Sequence, residues 1–299
     1  MRVLLPLAFA LLAGPLPAAP LAREMREVRA GESIMIRPDK AYLLLRVPKT
    51  SGVPTFEPVL LRVPTDEEMA RYEAARKVAF DRERPKLKAA WQKLTARKTA
   101  AEADGRKSNI AVPPEPALDN FSFSWDGVNN LQNVDSKRAF VKGETENIFL
   151  LEAPAGDYVV YGASWATGWA GVHVCFCLGS VRLTAQAGKV TDLGYFLADT
   201  AKSRSSIPEL AAETGFGPSS DAGGNLLLAG TVRPPSSTST IPPGISTAHI
   251  AKVRYRAVGK FFHPGAIGIN RLVPVPGILA YDREKVIDVQ SGQALPDNF

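Results

Sequence analysis

The amino-acid sequence predicts a mainly β protein, an antiparallel β-sandwich with an inserted long helix or helical hairpin. Three observations support this prediction. Short apolar runs recur between residues 109 and 200 at a spacing of roughly ten residues, with Gly- or Pro-containing turns between them. Another β-rich region occupies residues 23–64. Between them, residues 65–108 are charged, rich in Ala and periodic in the way of a helix.

The first 22 residues are predicted to be a cleavable secretory signal peptide. Met1 and Arg2 provide a positive start, residues 3–13 form an apolar run, and small residues cluster over 18–22. A membrane-spanning helix needs about 20 apolar residues, so this run is too short for one. We therefore expect cleavage within 18–22 and an exported protein, periplasmic or extracellular, with no transmembrane segment in the mature chain.

Residues 23–64 are predicted to contain the N-terminal strands. Segments 33–36, 41–47 and 59–63 are rich in apolar and β-branched residues, which is typical of strands. Three prolines between residues 48 and 58 predict a loop before the last of these strands.

Residues 65–108 are predicted to be the helical insertion. Thr65 followed by Glu68 matches a capping box, and Gly105 predicts the C-terminal end. Pro85 either kinks one long helix or begins the second helix of a hairpin. Lys and Arg outnumber Asp and Glu by twelve to eight over 66–107. We interpret the insertion as a solvated helix packed by one narrow face, with a partner-binding or membrane-surface arm as the alternative.

Residues 109–200 are predicted to form the β-sandwich core. The candidate strands lie at 121–125, 147–151, 158–165, 172–178, 181–185 and 190–197. Residues 201–247 are rich in Ser, Thr, Pro and Gly, which predicts a flexible segment with little apolar surface to bury. Residues 248–299 are predicted to be a C-terminal β segment, in which basic and apolar residues alternate over 252–256.

Two turns carry a resemblance to a known fold. Residues 152–160, Glu-Ala-Pro-Ala-Gly-Asp-Tyr-Val-Val, place a turn before a strand, and Ala-Gly-Lys-Val at 187–190 does the same. This region, about 147–197, resembles prealbumin-like β-sandwich domains of envelope proteins of unknown function. The resemblance implies a sandwich and implies no catalytic residues. The chain differs from the small envelope lipoproteins of this kind because no Cys follows its apolar start.

His173, Cys175 and Cys177 are the candidate site residues. Residues i and i+2 of a strand point to the same face, so the three would form one row. They could bind Zn or Cu(I). The two Cys could instead form a strained disulfide or a redox pair, because Cα atoms about 6.5–7 Å apart lie at the limit for that bond. We favour a third alternative, two buried free thiols that behave as small hydrophobes.

Other residue sets are interpreted structurally. A set of aromatic residues fits a sandwich core better than a carbohydrate or peptide groove: Trp125, Tyr161, Trp165 and Trp169. A set of carboxylates fits a charged surface hairpin better than an acid–base or calcium site: Asp282, Glu284 and Asp288. The sequence contains no Gly-x-Ser-x-Gly elbow, P-loop or Gly-rich dinucleotide motif.

These observations favour an exported, non-enzymatic protein with a binding or structural role in the cell envelope, whose partner is an unknown envelope component. The net charge of +6 allows weak attraction to anionic surfaces but predicts no nucleic-acid binding. No cofactor is expected. The alternatives are an envelope hydrolase whose site is assembled from distant residues, and a metal or redox protein that uses the Cys pair.

Overall fold

The fold was obtained as a computed structural model. It describes residues 25–49, 57–105, 110–167, 170–199, 229–261 and 268–297. The predicted signal peptide and residues 201–228 of the predicted flexible segment lie outside these ranges.

The described chain is mainly β, with one long helix, α1 (Asp66–Ala103). In chain order, the strands are β1 (Arg26–Val28), β2 (Ala41–Pro48), β3 (Glu57–Arg62), β4 (Leu131–Asn133), β5 (Val141–Lys142), β6 (Glu146–Ala153), β7 (Gly156–Thr167), β8 (Ala170–Cys175), β9 (Ser180–Ala185), β10 (Val190–Asp199), β11 (Ala229–Arg233), β12 (Ile250–Lys252), β13 (Arg256–Val258), β14 (Gly268–Ile269), β15 (Leu279–Asp282), β16 (Lys285–Asp288) and β17 (Gln293–Ala294). None of the helices in the described ranges combines the length and the apolar character needed to span a bilayer.

The strands form two large sheets and one small sheet. The first has the order β1-β6-β2-β10-β11, with β5 paired to β6 and β12 paired to β10. The second has the order β13-β9-β7-β3-β4, and β8 joins it through β7 and carries β14. Most pairs are antiparallel, whereas β10 runs parallel to β2 and β12, and β14 runs parallel to β8. Two of the N-terminal strands are therefore central, since β2 lies inside the first sheet and β3 inside the second, whereas β1 lies at the end of the first sheet.

A single hydrophobic cluster contains side chains from both large sheets, including Leu43 of β2, Phe149 of β6, Leu60 of β3 and Tyr158 of β7. Because side chains alternate along a strand, the neighbours of Leu43 point the other way, and Leu44 belongs to a second cluster on the opposite face of the first sheet. Strand β2 is thus buried on both faces, which explains its apolar run from Ala41 to Leu45. Burying each such Leu contributes about 1.5–3 kcal/mol.

Helix α1 begins where the sequence predicts. The Thr65 side chain accepts a hydrogen bond from the Glu68 amide, and the Glu68 carboxylate accepts one from the Thr65 amide. Pro85 lies inside a single 38-residue helix, so the helical hairpin alternative is wrong. Gly105 follows the end of the helix with a φ of +69°, which suits glycine.

Arg62, the last residue of β3, links the second sheet to the start of α1 through an ion pair with Glu68. Its Nη2 atom lies 2.7 Å from Glu68 Oε1 and its Nη1 atom lies 3.0 Å from Glu68 Oε2. The guanidinium group holds the pKa of the Glu68 carboxyl well below its ordinary value of 4.5, at about 2. Glu68 therefore caps the helix and anchors it at the same time.

The predicted strand at 121–125 is wrong. This segment belongs to no strand, and its alternating aromatic side chains pack on α1. The ring centroids of Phe123 and Trp125 each lie 5.8 Å from that of Tyr72, and Phe121 lies 5.4 Å from Phe80. The alternating aromatic side chains share one partner, but that partner is a helix, and the segment pairs with no strand.

Two further predictions differ from the structure. Residues 33–36 lie in no strand, although their exposure alternates. Within the segment predicted to be flexible, residues 229–233 form β11, which pairs with β10. Farther along the same segment, Ile245 is buried in the second hydrophobic cluster. A few apolar residues in this part of the segment therefore join the sheet and the second cluster. The high Ser, Thr, Pro and Gly content of the whole segment did not predict this.

Candidate functional site

Cys175 and Cys177 form a disulfide in the structure. Strand β8 ends at Cys175, and the backbone then turns, so that the two Cα atoms lie 5.2 Å apart. This separation is shorter than the spacing expected along an extended strand and lies within the usual range for a disulfide. Both residues are only 3% exposed. The favoured interpretation, two free thiols, does not describe this structure, although the expected burial is present.

His173 does not join the two sulfurs in a metal site. Its side chain is exposed on β8, where the residue pairs with Ser164 of β7, whereas both Cys are buried. Across the described residues, no group of three His, Cys, Asp or Glu side chains is placed to hold a metal ion. The disulfide also removes the thiolates that a metal would need. Of the other histidines, His249 contacts the Gly188 carbonyl oxygen through Nδ1, and His263 lies outside the described residues.

The two aromatic candidates whose side chains the structure describes do not come together. Trp125 packs on Tyr72 of α1, and the ring of Tyr161 stacks on that of Phe261 at a centroid distance of 5.6 Å. The side chains of Trp165 and Trp169 lie outside the described part of the chain. The carboxylates Asp282, Glu284 and Asp288 lie on or between β15 and β16, which pair as an antiparallel hairpin. The predicted charged surface hairpin is therefore confirmed.

A buried ion pair joins β2 to β10. Arg46 Nη1 donates a 2.6 Å hydrogen bond to Asp192 Oδ1, and Nη2 donates to Asp192 Oδ2 at 3.2 Å and to the Thr240 carbonyl at 2.7 Å. The Arg46 side chain is 0% exposed. Asp192 Oδ1 also accepts a hydrogen bond from the Gly194 amide at the bulge between the two residues. Because these groups are internal and bind one another, we assign the pair a structural role.

Among the described residues, a basic cavity is a surface feature that suits a ligand. Its volume is about 420 Å³, and its lining consists of four basic residues and two alanines: Arg29, Lys137, Arg138, Lys142, Ala30 and Ala139. Ligand cavities typically measure about 300–1,000 Å³. No acidic side chain lines this cavity. Four positive charges around one concave surface favour an anion as its occupant.

Strand pairing explains why these residues meet. Strand β6 pairs with β1 at Leu150–Glu152 and with β5 at Asn147–Ile148, while its other edge pairs with β2. The end of β1 and the start of β5 therefore meet along one edge of β6. Arg29 follows β1 and Lys142 belongs to β5, and the two side chains border the cavity from these two strands.

Lys137 and Arg138 reach the cavity from a short 3₁₀ turn, Ser136–Arg138. The Asp135 side chain caps this turn by accepting a 2.8 Å hydrogen bond from the Lys137 amide. Arg138 is held by two carboxylates, with Nη1 3.3 Å from Glu27 Oε2 and Nε 3.2 Å from Asp135 Oδ2. Glu27 is 6% exposed and also accepts a hydrogen bond from the Asp135 amide. Arg138 is thus oriented before any ligand arrives.

The remaining three cations, Arg29, Lys137 and Lys142, are exposed and form no ion pair among the described residues. Arg26 is the main cause of the lowered pKa of the Glu32 carboxyl, and the charge of Arg29 contributes to it, so Glu32 compensates Arg29 in part. A second cavity of about 370 Å³ shares Arg29 and Arg138 with the first, and its lining includes the carboxylates of Glu27 and Glu32. Positive charge is therefore concentrated on the Lys137 side. The sequence predicted no basic patch, because Arg29 and Lys137 are far apart in the chain and only the adjacent pair at 137–138 hinted at one.

Comparison of the chain with models of protein families, with curated proteins and with solved structures finds no match. The function must therefore be inferred from the fold and the cavity.

Proposed function

We propose that this chain is an exported, non-enzymatic β-sandwich protein that binds an anionic component of the cell envelope. The sandwich arrangement is supported by the single hydrophobic cluster that takes side chains from both large sheets. Export is supported by the order of positive, apolar and small residues over 1–22. The disulfide agrees with an oxidising compartment outside the cytoplasm.

The observation that carries the proposal is the basic cavity. Arg29, Lys137 and Lys142 repel one another, and an oxyanion between them would remove that repulsion. Arg138 is already oriented by Glu27 and Asp135, so binding need not order it. Phosphate, sulfate and carboxylate groups accept the charge-assisted hydrogen bonds that these four side chains donate.

Titration of the mature protein with inorganic phosphate, glucuronate and glucose tests the proposal. We expect the two anions to bind and neutral glucose not to bind. Lys137→Ser with Lys142→Ser should weaken anion binding roughly tenfold or more, because each hydrogen bond to a charged group contributes about 1.5 kcal/mol or more. Both residues are exposed and lack ion-pair partners among the described residues, so folding should be retained.

The matched control removes two charges elsewhere. Lys252 and Lys285 are exposed on β12 and β16, outside the cavity lining. Lys252→Ser with Lys285→Ser should leave anion binding unchanged. Equal loss in both double variants, or equal binding of glucose and phosphate, would contradict an anion site in the cavity.

The disulfide is the one observation that favours a second candidate, a redox function for Cys175 and Cys177. Their low exposure argues against ready exchange with a partner, because thiol–disulfide exchange requires access to a sulfur atom. Release of two thiols by a mild reductant, without loss of the fold, would support this candidate. The envelope hydrolase remains a prediction.

A further inference from the structure

Helix α1 carries a second basic surface that is separate from the cavity. The helix is about 57 Å long at the standard rise, yet only Ala79 and Phe80 along it are buried. From Arg84 to Ala101 the helix contains six basic residues and no acidic residue. A helix gains most of its stability in a protein from packing an apolar face. Packing within the chain therefore accounts for only a small part of this helix, and the role of its exposed surface has to be explained.

One face of α1 is covered by residues 113–125. Arg76 Nη2 donates a 2.7 Å hydrogen bond to the Leu118 carbonyl, and Trp91 Nε1 donates a 3.0 Å hydrogen bond to the Pro113 carbonyl. The Phe80 ring packs on Phe121 between these two contacts. Residues 76, 80 and 91 lie within about 60° of one another around the helix axis, which defines the covered face.

Five exposed cations share another face, about a third of a turn away. Arg71, Arg82 and Lys93 follow one another at intervals of eleven residues, which is close to three full turns. Lys86 and Arg97 each stand four residues after a member of this series, on the same side. We call these five residues the basic face. Between its ends it spans about 40 Å along the axis.

The positions between these cations add no acidic group to the basic face. The residues there are Ala75, Val78, Ala79 and Ala89. Arg82 and Lys86 approach the neighbouring Glu83 at 3.1 and 3.6 Å, in pairs that solvent screens. Arg71, Lys93 and Arg97 have no ion-pair partner among the described residues. Like charges four residues apart disfavour a helix, so a bound anion would relieve a repulsion that the sequence retains.

We propose that the basic face is a docking surface for a linear polyanion, such as an acidic polysaccharide or another polymer with a charge on each repeat. The cations form a nearly straight row, which matches an extended chain of negative charges. The alanines between them let a polymer approach the helix closely. Insertion into a bilayer is disfavoured, since the face offers a single exposed apolar side chain of any size, Val78.

The test uses two variants of the mature protein with the same net charge. The first carries Arg82→Gln, Lys86→Gln, Lys93→Gln and Arg97→Gln on the basic face. The second carries Lys77→Gln, Arg84→Gln, Lys88→Gln and Lys98→Gln, whose positions lie on the opposite side of the helix. Gln is a good helix former, so both variants should keep the helix, as circular dichroism would verify.

Heparin, a linear sulfated polysaccharide, is the probe. We expect the wild type and the opposite-side variant to bind it alike, and the basic-face variant to bind about tenfold or more weakly with a shallower dependence on salt. Equal loss in both variants would show that net charge alone matters and would overturn the proposal. Binding to phosphatidylglycerol vesicles in preference to heparin, lost in the basic-face variant, would also overturn it in favour of a membrane surface.

The proposal for the cavity and the proposal for the basic face can be tested independently. The variant Lys137→Ser with Lys142→Ser should lose far less heparin affinity than the basic-face variant, because the cavity takes a single anionic group, and the basic-face variant should bind inorganic phosphate as the wild type does. Loss of heparin binding in the cavity variant alone would place the polymer in the cavity and overturn the proposal for the helix.

Discussion

Replacing Asp192 with Asn should destabilise the fold strongly. Asn keeps the shape and still offers an oxygen to the Gly194 amide, but it removes the charge that compensates Arg46. The guanidinium group is 0% exposed, and it would lose the Oδ2 acceptor and keep only neutral acceptors, the Thr240 carbonyl at 2.7 Å and the Asn amide oxygen. Leaving one member of a buried ion pair without its partner costs about 3–5 kcal/mol. In a domain of this size, that loss lowers Tm by about 10 °C.

Thermal and urea unfolding of the mature protein measure this loss. Asp81→Asn is the matched control, because Asp81 forms a 2.7 Å ion pair with Lys77 that is exposed on both sides. The control should change the free energy of unfolding by no more than about 0.5 kcal/mol. Combining Asp192→Asn with Arg46→Met should restore part of the loss, since no buried charge then remains. If Asp192→Asn cost no more than Asp81→Asn, the assigned structural role would be wrong.

Three further predictions concern the helix anchor, the disulfide and export. Glu68→Gln should lower the free energy of unfolding by on the order of 1–2 kcal/mol at pH 7, after allowance for solvent screening. Because the pKa of the Glu68 carboxyl is lowered from 4.5 to about 2, the difference between wild type and variant should shrink as the pH falls through this interval, and a difference independent of pH would refute the anchor. The isolated protein should show no free thiol by labelling after denaturation until a reductant is added, and reduction should cost about 1–2 kcal/mol because the closed loop is very short. Labelling of unreduced, denatured protein would contradict the disulfide. Intact mass of the extracytoplasmic protein should place the mature N-terminus between Ala19 and Arg23, and recovery of a form with Met1 would defeat this prediction.

Local patterns predicted the local elements well. Thr65 and Glu68 are three residues apart, so the capping box and the start of α1 were visible in the sequence. The same local patterns gave wrong predictions where the structure of a segment depends on an element that is distant in the sequence. Phe121 to Trp125 alternate like a strand, but their apolar side meets α1, and only the fold shows that. Strand β8 ends at Cys175, two residues before Cys177, so the assumed extended spacing between the two Cys does not apply.

The candidate site depends almost wholly on long-range pairing. Arg46 and Asp192 are 146 positions apart, and nothing near Arg46 in the sequence predicts its partner. The cavity likewise needs one edge of β6 to bring the end of β1 beside β5. In the sequence, Arg29 and Lys142 are two ordinary surface cations. The pairing of β1 and β5 with the same edge of β6 brings these two residues together.

The most direct test of the central claim is to identify what the cavity retains from the cell envelope. Mature wild-type protein and the variant Lys137→Ser with Lys142→Ser should be incubated with the same envelope extract, washed at low salt and analysed by mass spectrometry. We expect the wild type to retain a component with phosphate, sulfate or carboxylate groups and the variant to lose it. Retention of the same component by both proteins, or retention of neutral molecules alone, would contradict an anion-binding function.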